Sequence, residues 1–255
     1  MPRDEPSCLI VLGTHRSGTS MTAGVAHAAG FQFGGPLGGP AADNPSGFFE
    51  HLHISRHHDR LLAEVGLQWC DVGDPLARAT PEQLARWVAE TDELFTEIAA
   101  DLPTFCWKDP RTLRFLPMWH EVLRRHGRVV RHLVAVRDPR HVAASLLRRN
   151  ALPVAASEQL WLFDHATMAR HLHGLSAPVS VYAESVGNPG GLLRMLARLG
   201  APDADGAADA VAAFVARDLD HGRDPSAAAV HVPLATPVYQ AIVAAHSLAS
   251  ITERA

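Results

Sequence analysis

Four short apolar runs stand out along the chain, each bounded by polar residues, glycine or proline. They cover residues 8–12, 104–107, 132–137 and 179–182. Runs of this length, separated by longer stretches with helical spacing, are typical of strands buried on both faces of a parallel sheet. The pattern therefore predicts an α/β fold, with a central parallel sheet and helices on both faces.

Helix starts between these runs carry clear signals. Thr80 is followed by proline and, three residues on, by glutamine, which predicts a capped helix beginning there. Asp138, Asn188 and Thr236 each precede a proline in the same way. Gly200 ends the helix that begins at Asn188. We predict one domain over residues 1–255, with a helical C-terminal part at 201–255.

The segment 31–49 differs from the rest because closely spaced glycines and prolines exclude regular structure. Long irregular loops inside a compact domain are usually binding loops or lids. We therefore predict that 31–49 is an active-site loop.

Composition narrows the function classes. The 255 residues are 47% hydrophobic and carry a formal charge of −4 with a pI near 6.4, which argues against a nucleic-acid or membrane partner. Three cysteines lack metal-type spacing. No signal peptide or long apolar run is apparent, so we expect a cytoplasmic protein. The sequence does not predict an oligomeric state.

The segment Gly13-Thr14-His15-Arg16-Ser17-Gly18-Thr19-Ser20 directly follows the first predicted strand. A glycine turn between a strand and a helix directs backbone N–H groups and the positive end of the helix at one anion. The spacing resembles the P-loop, but Thr19 stands at its lysine position. Positive charge is supplied instead by Arg16, which favours a bound phosphate over a magnesium triphosphate.

Two further strand ends carry cations. Arg137 closes the third strand, and Ser145 lies eight residues on, about two helical turns later. Such a pair suits a second phosphate. Lys108, at the end of the second strand, is a compact charge suited to a developing anion. Three cationic strand ends on one sheet edge predict a nucleotide with two separated phosphates.

This combination resembles sulfotransferases that use 3′-phosphoadenosine 5′-phosphosulfate (PAPS). The stretch from His15 to Ser20 is similar to their 5′-phosphosulfate loop, in the arginine form of tyrosylprotein and many bacterial members. Arg137 and Ser145 match the 3′-phosphate pair, and Lys108-Asp109-Pro110 resembles the motif that holds the catalytic lysine of the tyrosylprotein branch. Tyr182 matches the adenine-contacting tyrosine.

The chain departs from the family at three points. The usual Tyr-Glu dipeptide reads Tyr182-Ala183-Glu184, and Pro110 stands where the cytosolic enzymes have a histidine. The late glycine-rich basic motif is absent, and the candidate substitutes are Arg217, His221 and Arg223. The donor-binding residues that the resemblance implies are His15, Arg16, Ser17, Gly18, Thr19, Ser20, Arg137, Ser145, Tyr182 and Arg223.

The general base stays open between several residues. Glu50 resembles the post-loop glutamate of the tyrosylprotein and heparan-type enzymes, and Phe48 and Phe49 can shield it from water. His51, His53 and Asp109 are the alternatives. The implied catalytic residues are Lys108, Glu50 and Arg16.

The predicted activity is transfer of a sulfuryl group from PAPS, as co-substrate, to a hydroxyl of a small-molecule, carbohydrate or natural-product acceptor. It requires no metal, because cationic side chains neutralise the leaving phosphate. A P-loop nucleotide or sugar kinase is one alternative, and a non-catalytic nucleotide-binding module is another. Trp69, Trp161 and Phe163 are candidates either for an acceptor pocket or for the core, and the core is favoured for Trp161.

Overall fold

The computed structural model describes residues 5–40, 47–222 and 225–252, without the side chains of 217–222, 225–226 and 248–252. Its strands are β1 (Ser7–Leu12), β2 (Thr104–Lys108), β3 (Val129–Val136) and β4 (Val179–Val181). Its helices are α1 (Thr19–Ala28), α2 (Leu52–Glu64), α3 (Pro75–Arg78), α4 (Pro81–Ala99), α5 (Thr112–Arg125), α6 (Pro139–Asn150), α7 (Val154–His171), α8 (Tyr182–Gly187), α9 (Pro189–Arg198), α10 (Ala208–Gly222) and α11 (Ala235–Thr252), with a 3₁₀ turn at Pro225–Ala229.

The strands form one parallel sheet in the order β2-β1-β3-β4. From β1 the chain passes first to β2 on one side and then to β3 on the other, so the strand order reverses beside β1. Open sheets of this kind bind ligands at the carboxyl ends of the strands next to such a reversal. The predicted α/β class is confirmed.

Strand β1 divides two hydrophobic cores. All six of its residues are buried, and alternate side chains point to opposite faces of the sheet. Ile10 belongs to a cluster with Trp87 of α4 and Trp119 of α5. Leu9 belongs to the other cluster, with Val25 of α1 and further residues of α9 and α10. Helices therefore cover both faces, as predicted.

Three of the four helix starts predicted from proline are confirmed, whereas Thr236 lies inside α11, which begins at Ala235. Thr80 and Gln83 form the reciprocal capping box, and the Asp138 carboxylate accepts from the N–H of Arg140. Three strand ends differ from prediction by one residue, and one of them is β3, which ends at Val136 instead of residue 137. Strand β2 extends to Lys108, whose side chain is 2% exposed, and β4 stops at Val181 because Tyr182 begins α8.

Segment 31–49 pairs with strand β2 at its start and with itself further on. The Gln32 N–H donates to the carbonyl of Thr104, and the carbonyl of Gln32 accepts from the Cys106 N–H, so Gln32 bridges to β2. The Gly38 N–H donates to the carbonyl of Glu50, and the Phe48 N–H donates to the carbonyl of Gly38. Residues 41–46 of this segment lie outside the described part. Within the described residues, no helix combines the length and hydropathy that crossing a bilayer requires.

Buried histidines make stability dependent on pH. Burial lowers the pKa of His51, His132 and His165 to about 4, with smaller contributions from neighbouring histidines at the first two. The unfolded chain takes up these protons near pH 6.5, whereas the folded chain does so only near pH 4. The contribution of these neutral histidines to the free energy of unfolding is therefore fully present above pH 6.5 and is lost as the pH falls toward 4.

We expect the melting temperature to decrease steadily between pH 7 and pH 4.5 in a calorimetric series. His165→Gln should reduce the slope, because this ring is buried against Trp161. His173→Gln, at an exposed position, serves as the control and should leave the slope unchanged. A melting temperature that stays constant over this range would contradict the assignment.

Candidate active site

The loop after β1 leads into α1 with uncapped backbone N–H groups. Gly18 is the N-cap of α1 and no side chain caps it, and the first turn carries no acidic residue. Ser17 is buried and its hydroxyl donates to the carbonyl of Thr14, which fixes the turn. Thr19 and Ser20 open the helix. Free N–H groups at a helix start are well suited to an anion.

Arg16 connects this loop to two other elements. Its backbone lies in the left-handed region with φ 67°, a conformation that non-glycine residues adopt only at an energetic cost. The Arg16 Nε donates to Ser145 Oγ on α6 at 2.8 Å. Arg137 Nη1, directly after β3, donates to the Arg16 carbonyl at 3.3 Å. The predicted loop and the predicted Arg137–Ser145 pair thus lie together.

Tyr182 completes this group from the end of β4. The Arg137 guanidinium carbon lies 4.5 Å from the centre of the Tyr182 ring, which is a cation–π distance. The same ring packs against Gly18. Arg223, the remaining predicted donor-binding residue, lies outside the described residues.

Gly18 is required by both conformation and space. Its φ is 91°, and a Cβ there would lie 2.3 Å from Tyr182 Cδ2. We expect Gly18→Ala to lower the free energy of unfolding by about 1–3 kcal/mol more than backbone strain alone, since the ring must move. Gly127→Ala is the matched control, because Gly127 has φ 62° and no atom near the added Cβ. If urea denaturation shows the same loss of unfolding free energy in Gly18→Ala and Gly127→Ala, the Tyr182 ring moves without an energetic penalty and the prediction is wrong.

Lys108 and Glu50 form a close ion pair beside the loop. Lys108 Nζ lies 2.6 Å from Glu50 Oε1, and the lysine side chain is 2% exposed. Lys108 is also the only lysine in the sequence, the other 22 of the 23 basic residues being arginine. A compact ammonium at this position is therefore a specific feature of the chain. The presence of a single lysine can be seen in the sequence, although no motif contains this information.

The two phenylalanines beside Glu50 contact other elements. The Phe49 ring packs against Phe33 and Phe214, and the Arg149 guanidinium lies over the Phe48 ring. Among the described residues, the Glu50 carboxylate has two cationic neighbours, Lys108 and Arg111. The Arg111 Nη1 lies 3.9 Å from Glu50 Oε2. Charge, rather than an apolar pocket, therefore defines the surroundings of Glu50.

Asp109 is fully engaged in a buried network that sequence analysis did not anticipate. Trp119 Nε1 donates to His58 Nε2, and His58 Nδ1 lies 2.7 Å from Asp109 Oδ2. Asp109 Oδ1 accepts from the backbone and side chain of Arg111. Burial raises the pKa of Asp109, but attraction to Arg111 and hydrogen bonding to His58 together outweigh it and hold the pKa well below its usual range. This carboxylate orients Arg111.

The two histidine candidates for the base have other partners. His51 is fully buried, and its Nε2 accepts from the N–H of Gly35, so it braces the loop. His53 is 39% exposed and lies 3.9 Å from Glu97 on α4.

The His15 ring contacts a residue outside the loop. It lies 4.6 Å from the ring of Trp69, and its Nε2 is buried without a hydrogen-bond partner. Burial lowers the pKa of His15 well below its usual value, and the nearby cations lower it further against the opposing charge of Asp109. Lys108 lies close to the loop as well, because it pairs in the sheet with Val11, two residues before Gly13.

The structure is similar to solved sulfotransferase domains. The domain from the olefin synthase of Synechococcus PCC 7002 matches with a TM-score of 0.50 and 18% identity, over 81% of this chain and 78% of that one. The domain from the curacin biosynthetic pathway matches at 19% identity over 77% and 75%, with a TM-score of 0.44 that supports no conclusion. No protein-family model and no curated protein matches the sequence significantly. The chain thus shares its fold with a sulfotransferase domain.

Proposed function

We propose that this protein transfers the sulfuryl group of PAPS to a hydroxyl of a small-molecule, carbohydrate or natural-product acceptor. The observation that carries the proposal is the position of Arg16. This loop cation bonds to Ser145 and is held at its carbonyl by Arg137, so one residue joins the two predicted phosphate sites. A nucleotide with phosphate groups at its 5′ and 3′ positions would contact both.

The donor is assigned to the carboxyl edge of the sheet. The loop from His15 to Ser20 holds the 5′-phosphosulfate through its N–H groups and Arg16. Arg137 and Ser145 bind the 3′-phosphate, and Tyr182 contacts the adenine. We assign segment 31–49, which ends beside Glu50, as the active-site loop of a single-domain protein.

The chemical step uses the Lys108–Glu50 pair. The acceptor oxygen attacks sulfur, the bond from sulfur to the bridging phosphate oxygen breaks, and the product nucleotide leaves as the 3′,5′-bisphosphate. Glu50 takes the hydroxyl proton, and Lys108 neutralises the charge that develops on the bridging oxygen. An anionic donor competes with Glu50 for Lys108, which releases the carboxylate to act as a base.

The alternatives have less support. A kinase needs a carboxylate at a strand end for magnesium, whereas both oxygens of Asp109 already accept hydrogen bonds from His58 and Arg111. A non-catalytic module is disfavoured because Lys108 stands beside Val11 in the sheet, two residues before the loop, and its ammonium lies 2.6 Å from the Glu50 carboxylate.

Arg137→Ala tests the 3′-phosphate assignment. Loss of a charge-assisted hydrogen bond is expected to weaken binding of adenosine 3′,5′-bisphosphate by about 1.5–3 kcal/mol, or roughly 10- to 150-fold. Binding of ADP, which lacks the 3′-phosphate, should change far less. Both are measured by calorimetric titration.

Arg140→Ala is the matched control, because this neighbouring arginine is 48% exposed and pairs with Asp138. It should leave both affinities unchanged. Parallel losses for the bisphosphate and ADP in Arg137→Ala would assign Arg137 a structural role.

A further inference from the structure

A second polar group lies beside the loop, on α5 and α7. Arg114 is 2% exposed, and its Nη2 donates to the carbonyl of Trp69 and to Asp164 Oδ1. Its Nη1 is buried and has no hydrogen-bond partner. A buried guanidinium N–H without a partner is unusual in a folded protein and points to a ligand.

His15 adds a second unpartnered atom to the same group. Its buried Nε2 has no hydrogen-bond partner, and the Arg114 charge is among those that lower its pKa. The ring is therefore neutral near pH 7, and its Nε2 can donate one hydrogen bond in the matching tautomer.

Asp164 engages only one end of the Arg114 guanidinium. Asp164 Oδ1 lies 3.3 Å from Arg114 Nη2, while Oδ2 accepts from the Thr14 hydroxyl at 2.7 Å. The other nitrogen, Nη1, has no acceptor among the described residues and is left for an oxygen of a ligand.

Two half-buried aromatic rings border these polar atoms. Trp69 lies against His15, and the Arg114 guanidinium lies 5.3 Å over the Phe163 ring. Aromatic walls with a few convergent polar groups are the usual composition of a small-molecule site.

We propose that Arg114 and His15 bind a carboxylate on the acceptor, while Trp69 and Phe163 contact its aromatic body. This assignment rests on the proposed sulfuryl transfer and names its substrate class as hydroxylated aromatic carboxylic acids. A carboxylate offers two oxygens and a single charge, which matches one arginine N–H and one imidazole N–H. The donor has its own partners, Arg16 in the loop and Lys108 at the end of β2.

The test is a binding panel of acid and ester pairs. 3-Hydroxybenzoate, 4-hydroxybenzoate, 4-hydroxyphenylacetate and 3-(4-hydroxyphenyl)propionate are each titrated against their methyl esters, with and without saturating adenosine 3′,5′-bisphosphate. At least one acid is expected to bind about tenfold or more tightly than its ester, a difference of 1.4 kcal/mol. If every acid binds no better than its ester, the proposal is wrong.

Two variants assign the preference to these residues. Arg114→Gln removes the charge, and His15→Phe removes Nε2 but keeps the ring against Trp69, so it still tests the site if Arg114→Gln fails to fold. Both should abolish the preference for the acid. Arg124→Gln, on the same helix with a side chain 72% exposed, should preserve it. If His15→Phe still prefers the acid over its ester, and Arg114→Gln does so too where it folds, the assignment is overturned.

The donor is scored separately in the same samples. If the variants weaken bisphosphate binding and leave the acid preference intact, these residues serve the donor and the proposal fails. If the acid binds but the bisphosphate does not, the carboxylate site stands and the proposed transfer reaction is contradicted.

Discussion

Replacing Lys108 with methionine is expected to lower kcat by about 10²–10³-fold, the loss typical of removing one donor to a developing anion. Methionine keeps the length of the buried stem but removes the charge that sits 2.6 Å from Glu50. Because that charge is needed mainly in the transition state, kcat and kcat/KM should fall together. Steady-state kinetics with PAPS and any accepted hydroxy compound measure the effect.

Lys108→Arg is the informative companion variant. It keeps the positive charge but replaces the compact ammonium with a larger, planar guanidinium at a site where the lysine side chain is 2% exposed. We therefore expect a kcat between those of the unaltered protein and Lys108→Met. Bisphosphate binding should persist in both variants, which shows that the fold is intact. Full activity of Lys108→Met would exclude Lys108 from the chemical step.

Replacing Glu50 with glutamine is expected to slow turnover by roughly 10²–10⁴-fold, the usual contribution of a general base. Glutamine keeps the size and one acceptor oxygen toward Lys108, so bisphosphate binding should remain near that of the unaltered protein.

Glu97→Gln is the control for a surface glutamate, since its side chain is 70% exposed and lies 3.9 Å from His53. It should leave turnover unchanged. If Glu50→Gln keeps full activity while His51→Gln or His53→Gln loses it, the base is a histidine.

The sheet could be predicted because its strands are buried on both faces. A short, fully apolar run such as 8–12 is typical of a central parallel strand. Thr80 and Asp138 mark helix starts because their side chains accept local hydrogen bonds from the backbone. The individual start and end of α5 were not predicted. Pro117 lies inside this helix, and packing against the sheet overrides the local preference.

Contacts within the candidate site could be predicted where the residues follow strands or recur at fixed spacing. Arg137 and Ser145 are eight residues apart, and the structure brings both to Arg16. The contact of Arg114 with Asp164 spans 50 residues and joins two helices with no shared motif. Nothing local in the sequence marks such a pair, because only the packing of α5 against α7 brings it together.

The most direct test of the account is a thermal-shift comparison of adenosine 3′,5′-bisphosphate with ADP and with ATP plus magnesium. The bisphosphate is expected to stabilise the fold, by about 2.7 kcal/mol at a hundred times its Kd. ADP and ATP should stabilise it much less, because neither offers a 3′-phosphate to Arg137 and Ser145. Equal stabilisation by ADP would contradict the assignment of a PAPS site.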